Sequence, residues 1–129
     1  MLRGISDIDG VIDRTDPNES GKDTISSKPS SGKNWFGYSY QERPDLWKEA
    51  SALNHVNQNS APICFINSSR SRFHAGRDEM ILKLNKLGIC SEVHSIPNTP
   101  HEFWLFHPWF ETTSRYILKF LDKMFYPIK

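Results

Sequence analysis

Apolar residues in the second half of the chain change from a strand pattern to a helix pattern and back. Residues 61–66 form a continuous apolar run, which is typical of a parallel strand covered on both faces. A helical pattern follows, and Gly88 supplies a left-handed stop after it. The apolar residues of that pattern share one helical face: Met80, Ile81, Leu84 and Leu87. Residues 91–96 predict a second strand, so the segment indicates a βαβ crossover.

Two further elements extend this unit. The residues after Pro108 repeat the amphipathic pattern and predict a closing helix. Its predicted buried stripe consists of Ile117, Phe120, Leu121 and Met124. Near the N-terminus, β-branched residues mixed with acids predict one short strand. The predicted fold is a parallel α/β sheet with strands at about 4–9, 61–67 and 91–96 and helices at about 45–50, 74–87 and 109–125.

A long polar segment separates the first two predicted strands. From Arg14 to Asn34 the only strongly apolar residue is Ile25, so this part cannot support a core of its own. We expect a surface excursion there. Residues 35–40 then place four aromatic side chains in six positions. These rings either anchor the segment to the sheet or offer a stacking surface.

The composition excludes several classes of protein. A chain of 129 residues is one domain in size, and its formal charge of +1 favours neither nucleic acid nor an anionic membrane as partner. No apolar stretch is long enough to span a bilayer. Cys64 and Cys90 fall in or beside predicted strands and are expected to be two buried thiols. No pair of histidines has the spacing of metal ligands, so no metal site is predicted.

His101 is the most promising candidate for chemistry. It follows the predicted strand 91–96, and open α/β sheets place catalytic groups just past the carboxyl ends of their strands. Pro97 and Pro100 stiffen the intervening loop, so the imidazole is expected to be held in place. Imidazole also has an ordinary pKa close to neutrality, which suits a general base.

The order of these features resembles the α/β-hydrolase fold. The features are the segment Trp47-Lys-Glu-Ala-Ser-Ala-Leu-Asn-His55, the strand at 61–67, a helix, the strand at 91–96, Pro-His and a terminal helix. More narrowly, the chain is similar to carbohydrate-esterase and lipase-like members, including those related to feruloyl and acetyl-xylan esterases. The resemblance covers the C-terminal part of that fold. It implies one partial hydrolase domain over residues 1–129, with a cap-like insertion at about 14–44.

The resemblance also implies a serine, histidine and acid triad. The nucleophile motif Gly-x-Ser-x-Gly does not occur in this sequence, so the serine is expected upstream of Met1 and the chain is expected to be a fragment. His101 would be the base, and no cofactor is implied. The loop after residue 66 has no carboxylate before Asp78. Asp9, at the end of the first strand, is therefore the preferred acid and Asp13 the alternative, although either could be a structural loop residue.

Other residues are candidates for binding substrate. Trp35 and Tyr38 in the cap-like segment, together with Trp104, could stack on sugar or feruloyl rings. Arg72 belongs to a basic group with Arg70, His74 and Arg77 that could attract an anionic polysaccharide. The alternative is a solvated loop whose arginines pair with nearby acids such as Asp78 and Glu79.

Three functions follow from these considerations. The preferred one is the C-terminal, histidine-bearing portion of a serine carboxylic ester hydrolase that acts on acylated carbohydrate (acetyl or feruloyl esters). Its substrate would be a small-molecule or polysaccharide ester. The others are part of a prolyl-oligopeptidase-type serine peptidase and a non-catalytic binding module. A partial sheet would leave an unpaired edge, so self-association is also expected. No signal region occurs at the N-terminus, and a secreted or periplasmic location of the parent protein stays open.

Overall fold

A three-stranded parallel sheet lies at the centre of the structure, which is a computed structural model describing residues 2–21 and 28–128. The strands are β1 (Ile5–Ile8), β2 (Ile63–Asn67) and β3 (Ser91–Ser95), and their order in the sheet is β1-β2-β3. Both pairings are parallel, with Ile5 opposite Ile63 and Ile63 opposite Ser91. The predicted parallel α/β sheet is therefore confirmed at this level.

Five α-helices accompany the sheet in the described residues. Short 3₁₀ helices lie at Ala52–His55, Ser71–His74 and Phe103–Leu105. The α-helices are α1 (Pro17–Ser20), α2 (Ser31–Phe36), α3 (Pro44–Glu49), α4 (Arg77–Lys86) and α5 (Trp109–Phe125). The predicted helices at 45–50 and 109–125 are confirmed. The predicted helix at 74–87 is shorter in the structure, since Gly76 at φ 78° separates a 3₁₀ turn from α4.

The sheet buries apolar side chains on both faces, which explains the continuous apolar run of β2. Because successive residues of a strand point to opposite faces, Phe65 packs against α4 while Cys64 and Ile66 pack on the side of α5. The first core consists of Ile12, Leu53, Ile63, Phe65, Met80 and Leu84. The second consists of Cys64, Ile66, Ile96, Phe103 and Phe120. Both faces of β2 are thereby removed from water.

Two expectations about burial are wrong. Leu87 is exposed, because α4 ends at Lys86 and Leu87 lies outside its buried face. Cys90 is exposed as well, because it lies in the loop before β3 rather than under a helix, whereas Cys64 is fully buried as expected. Gly88 does adopt the predicted left-handed conformation, with φ 69°.

The predicted insertion at 14–44 contains two of the helices. Its residues 22–27, including Ile25, lie outside the described part of the chain. α2 is capped by the Ser30 hydroxyl, which accepts a hydrogen bond from the Lys33 backbone N–H at 3.0 Å. The helix packs on Trp47 of α3, whose ring lies edge-on to Phe36 at 5.0 Å between centroids. Trp47 therefore joins this segment to the rest of the domain.

Both outer edges of the sheet are unpaired within the described residues. Ile5 and Asp9 donate their backbone N–H groups to Pro62 and Ile66, so the intervening Ser6 and Ile8 turn theirs away from β2. An edge of this kind is a template for another strand. Self-association stays a prediction, which size-exclusion chromatography of the purified chain can test.

No helix in the described residues combines the length and the apolar character needed to cross a membrane.

Candidate functional site

Asp9 and His101 meet at the carboxyl edge of the sheet. Asp9 directly follows β1, and His101 lies in the loop after β3. The Oδ2 atom of Asp9 is 3.1 Å from the Nδ1 atom of His101. This contact was the one expected from the sequence for the preferred acid, and the catalytic role of the pair stays a prediction.

The Asp9 carboxylate is fixed in one orientation. Its side chain is fully buried, and Oδ1 accepts a hydrogen bond from the Ser68 backbone N–H at 2.7 Å. The amide of Asn67 contacts the same oxygen at 3.4 Å. Asp9 also has φ 49°, a left-handed conformation that aspartate tolerates better than most residues. The two oxygens thus have separate tasks, because Oδ1 is bound by the backbone after β2 while Oδ2 faces the imidazole.

Two aromatic side chains hold the His101 ring. Phe73 stacks on it with 3.9 Å between ring centroids, and Trp104 lies edge-on at 5.2 Å. The imidazole side chain remains 31% exposed. In the described part of the chain no residue forms a hydrogen bond with Nε2. A carboxylate at Nδ1 favours the tautomer that carries its proton there, so Nε2 is left as an acceptor on the open side.

Two of the basic residues in the loop after β2, Arg72 and Arg77, form ion pairs. Arg72 pairs with the buried carboxylate of Glu19 in α1, and its guanidinium lies 5.1 Å from the centre of the Phe73 ring. Arg77 pairs with Asp78 at 2.9 Å. The pair of Arg77 with Asp78 is one that the solvated-loop alternative expects, whereas Glu19 is a buried partner rather than a surface acid. Arg72 and His101 both contact the Phe73 ring.

The remaining candidates lie elsewhere in the structure. Asp13 accepts hydrogen bonds from the backbone and hydroxyl of Thr15 at 2.8 and 2.7 Å, which is the loop role considered for it. Trp35 is 85% exposed, and Tyr38 contacts Arg43. Within the described residues, none of the contacts of Trp35 or Tyr38 reaches His101. The substrate-binding roles of Trp35, Tyr38, Trp104 and Arg72 stay predictions.

Sequence reasoning missed three residues that organise the site. Phe73 lies among basic residues, and nothing in the sequence distinguishes it. In the structure a 3₁₀ turn over Ser71–His74 stacks its ring on the imidazole of His101. Asn67 and Ser68 were not predicted as site residues, because neither has the carboxylate that a triad acid requires. Their position at the carboxyl end of β2, next to the end of β1, could have indicated that they bind the acid.

Asp7 gives the site region a pH-dependent contribution to stability. Burial raises the pKa of Asp7, a hydrogen bond from the Gly10 backbone lowers it, and the nearby Asp9 charge raises it further, so that the net pKa lies above the ordinary 3.8. As the pH rises, the unfolded chain therefore releases this proton before the folded chain does. The stability due to the neutral carboxyl is complete below pH 3.8 and is lost as the pH rises through the folded pKa.

Asp7→Asn is accordingly expected to raise the melting temperature by a few degrees at neutral pH. The amide keeps the shape of the side chain and removes the charge. Thermal unfolding at neutral pH and below the ordinary aspartate pKa measures the effect, which should vanish in acid. Asp45→Asn is the control, because Asp45 is exposed and paired with Arg43. An equal gain at both pH values would contradict the assignment.

No family model, no curated protein and no solved structure matches this chain. The chain folds into a small three-stranded parallel sheet with flanking helices, and an acid–histidine pair lies at the carboxyl edge of the sheet.

Proposed function

We propose that this chain supplies the histidine base and the orienting acid of a serine carboxylic ester hydrolase. The observation that carries the proposal is the 3.1 Å contact between Asp9 Oδ2 and His101 Nδ1, with Asp9 buried and His101 partly open. A buried carboxylate at one imidazole nitrogen and an accessible second nitrogen are the two requirements for a base of this kind. The serine and the oxyanion donors would come from a segment outside these 129 residues.

The chemistry assigns a distinct role to each group. Nε2 of His101 takes the proton of the serine hydroxyl as the serine oxygen bonds to the ester carbonyl carbon. The same nitrogen then returns the proton to the leaving alcohol when the carbon–oxygen bond of the ester breaks. A water molecule repeats the sequence on the acyl-enzyme. Throughout, Asp9 keeps the proton of Nδ1 in place and stabilises the imidazolium.

The proposed substrates are acetyl or feruloyl esters of carbohydrates. Trp104 supports this choice, because its ring lies edge-on to His101 and could contact a sugar or aryl ring next to the reacting ester. Arg72 contacts the same Phe73 ring as His101, and its guanidinium could contact an anionic sugar only by competing with Glu19. The aromatic contact is therefore the better supported of the two.

Nitrogen NMR of His101 tests the proposal on this chain directly. At a pH where the ring is neutral, we expect Nδ1 to carry the proton and Nε2 to be bare. Asp9→Asn should reverse this preference, because the amide N–H₂ then faces Nδ1 and makes it the acceptor. His55→Ala helps to assign the signals, since His55 is exposed and distant in sequence. A proton on Nε2 in the unmodified chain would overturn the proposal.

Activity provides the second test. If the DNA upstream of the Met1 codon encodes an in-frame Gly-x-Ser-x-Gly segment, the longer protein should hydrolyse acetylated xylan or a feruloyl ester. A longer protein that binds these glycans without hydrolysing any ester would instead identify a binding module. Cleavage of peptides in preference to esters would identify the peptidase.

A further inference from the structure

Three metal-ligating side chains converge on the face of the sheet that packs against α5. Cys64 of β2 and Glu92 of β3 are direct partners in the strand register, and His94 follows Glu92 by two residues on the same face. The Sγ atom, a carboxylate oxygen and an imidazole nitrogen all lie within 4.8 Å of one another. The register, which the linear sequence does not reveal, thus brings the three ligand atoms together.

The surroundings hold these side chains in place. Cys64 is fully buried in the core that contains Phe120, and Tyr116 of α5 stacks on the His94 ring at 4.0 Å between centroids. Glu92 Oε2 lies 3.2 Å from His94 Nε2, and its other oxygen pairs with Lys123. This cluster is therefore preorganised on two strands and is partly open to solvent. It is separate from the Asp9–His101 pair, whose imidazole lies in the loop beyond the end of β3.

We propose that Cys64, Glu92 and His94 bind a thiophilic divalent cation such as Zn²⁺. Thiolate, imidazole and carboxylate are the three ligand types that Zn²⁺ takes in proteins, at bond lengths of about 2.0 to 2.3 Å. Ligand atoms around such an ion lie roughly 4 Å or less from one another, so small side-chain rotations suffice to close the cluster. Water occupies the fourth position, on the side open to solvent.

Lys123 competes with the cation for Glu92. Its side chain is 62% exposed, so it can turn into solvent when the ion binds. Exposed ion pairs are weak, and losing this one costs little. Lys123→Ala is therefore expected to tighten metal binding by about threefold, since it removes both the competing pair and a repelling charge.

Binding must also displace the proton of the buried thiol. Burial raises the pKa of Cys64 to about 11, and the Glu92 charge adds to this while Lys123 opposes it. The groups that face the thiol and the cation are Glu92 and His94 on β3 and Lys123 and Tyr116 on α5.

Cobalt titration tests the site in the full chain carrying Cys90→Ser, which leaves Cys64 as the single thiol. We expect Co²⁺ to produce a thiolate-to-metal absorption band in the ultraviolet and ligand-field bands in the visible. Zn²⁺ should abolish these bands by displacement and should raise the melting temperature. Loss of the bands on introducing Cys90→Ser would overturn the three-ligand assignment.

Variants of the ligands complete the test. Glu92→Gln preserves the shape of the side chain and should weaken Co²⁺ binding at least tenfold. Mutating even the residues that support metal ligands lowers metal affinity by about 10- to 100-fold. Cys64→Ser should remove the thiolate band, and melting curves show whether that variant folds. If Cys64→Ser fails to fold, Glu92→Gln decides the matter. His55→Ala is the matched control, because this exposed histidine contacts Glu49 outside the cluster. Equal affinity in Glu92→Gln and the Cys90→Ser parent would overturn the proposal.

Discussion

His101→Ala is expected to lower kcat/KM for ester hydrolysis by about 10⁴-fold or more when the chain is joined to a nucleophile-bearing segment. Without the imidazole, no group takes the proton from the serine, and removing the base of such a triad costs nearly as much as removing the whole triad. The fold should persist, because the His101 side chain is partly exposed and lies in a loop. Circular dichroism and melting curves check this point.

Asp9→Asn should produce a loss of similar size for a different reason. The amide oxygen can still accept from the Ser68 backbone, so the buried site stays hydrogen-bonded. Its N–H₂ group then faces Nδ1 of His101 and stabilises the tautomer that carries its proton on Nε2. A protonated Nε2 cannot accept the serine proton. His55→Ala serves as the control for both variants. Retained turnover in His101→Ala would show that the base lies elsewhere.

Trp47→Ala is expected to lower the free energy of unfolding by about 4 kcal/mol. Trp47 is fully buried, lies edge-on to Phe36 and Tyr40, and donates its indole N–H to the Tyr38 carbonyl at 3.1 Å. A Cβ atom at Gly32 would lie only 2.3 Å from its ring. Truncation therefore leaves a cavity and removes the contact that joins α2 to α3.

Trp35→Ala is the matched control for this measurement. It removes the same side chain from a position that is 85% exposed, and we expect a change of at most about 0.5 kcal/mol. Urea denaturation followed by circular dichroism measures both variants without relying on tryptophan fluorescence. If Trp47→Ala unfolds the chain entirely, Trp47→Phe should show an intermediate loss. Equal losses in the two alanine variants would contradict the assigned packing.

The sheet was predictable because its central strand has a distinctive pattern. Residues 63–66 are apolar on both faces, and so short an apolar run is typical of a strand that is buried on both sides. The parallel pairing followed from the helix between β2 and β3. The limits of α4 were less predictable. Asp13 lies so close to Gly76 that a Cβ atom there would be 2.7 Å from the Asp13 Cβ, and the end at Lys86 depends on local backbone geometry.

The candidate site was predictable only where chain position determines location. Asp9 and His101 follow strands, and the carboxyl ends of parallel strands share one edge, so their proximity could be expected. The stacking of Phe73 on His101 could not be expected from the sequence, because it depends on the path of a loop. The Cys64, Glu92 and His94 cluster was missed for a similar reason, since its ligands belong to two strands whose register is a property of the folded sheet.

The separation of Asp9 and His101 along the chain has a consequence for folding. The two residues are 92 positions apart and follow the two outer strands of the sheet, so we expect their contact to form only once all three strands have assembled. Contacts of such high sequence separation carry a large loop-closure entropy and form late. The preference of His101 for the Nδ1-protonated tautomer is therefore expected to report that the complete sheet has formed, because it depends on the contact with Asp9.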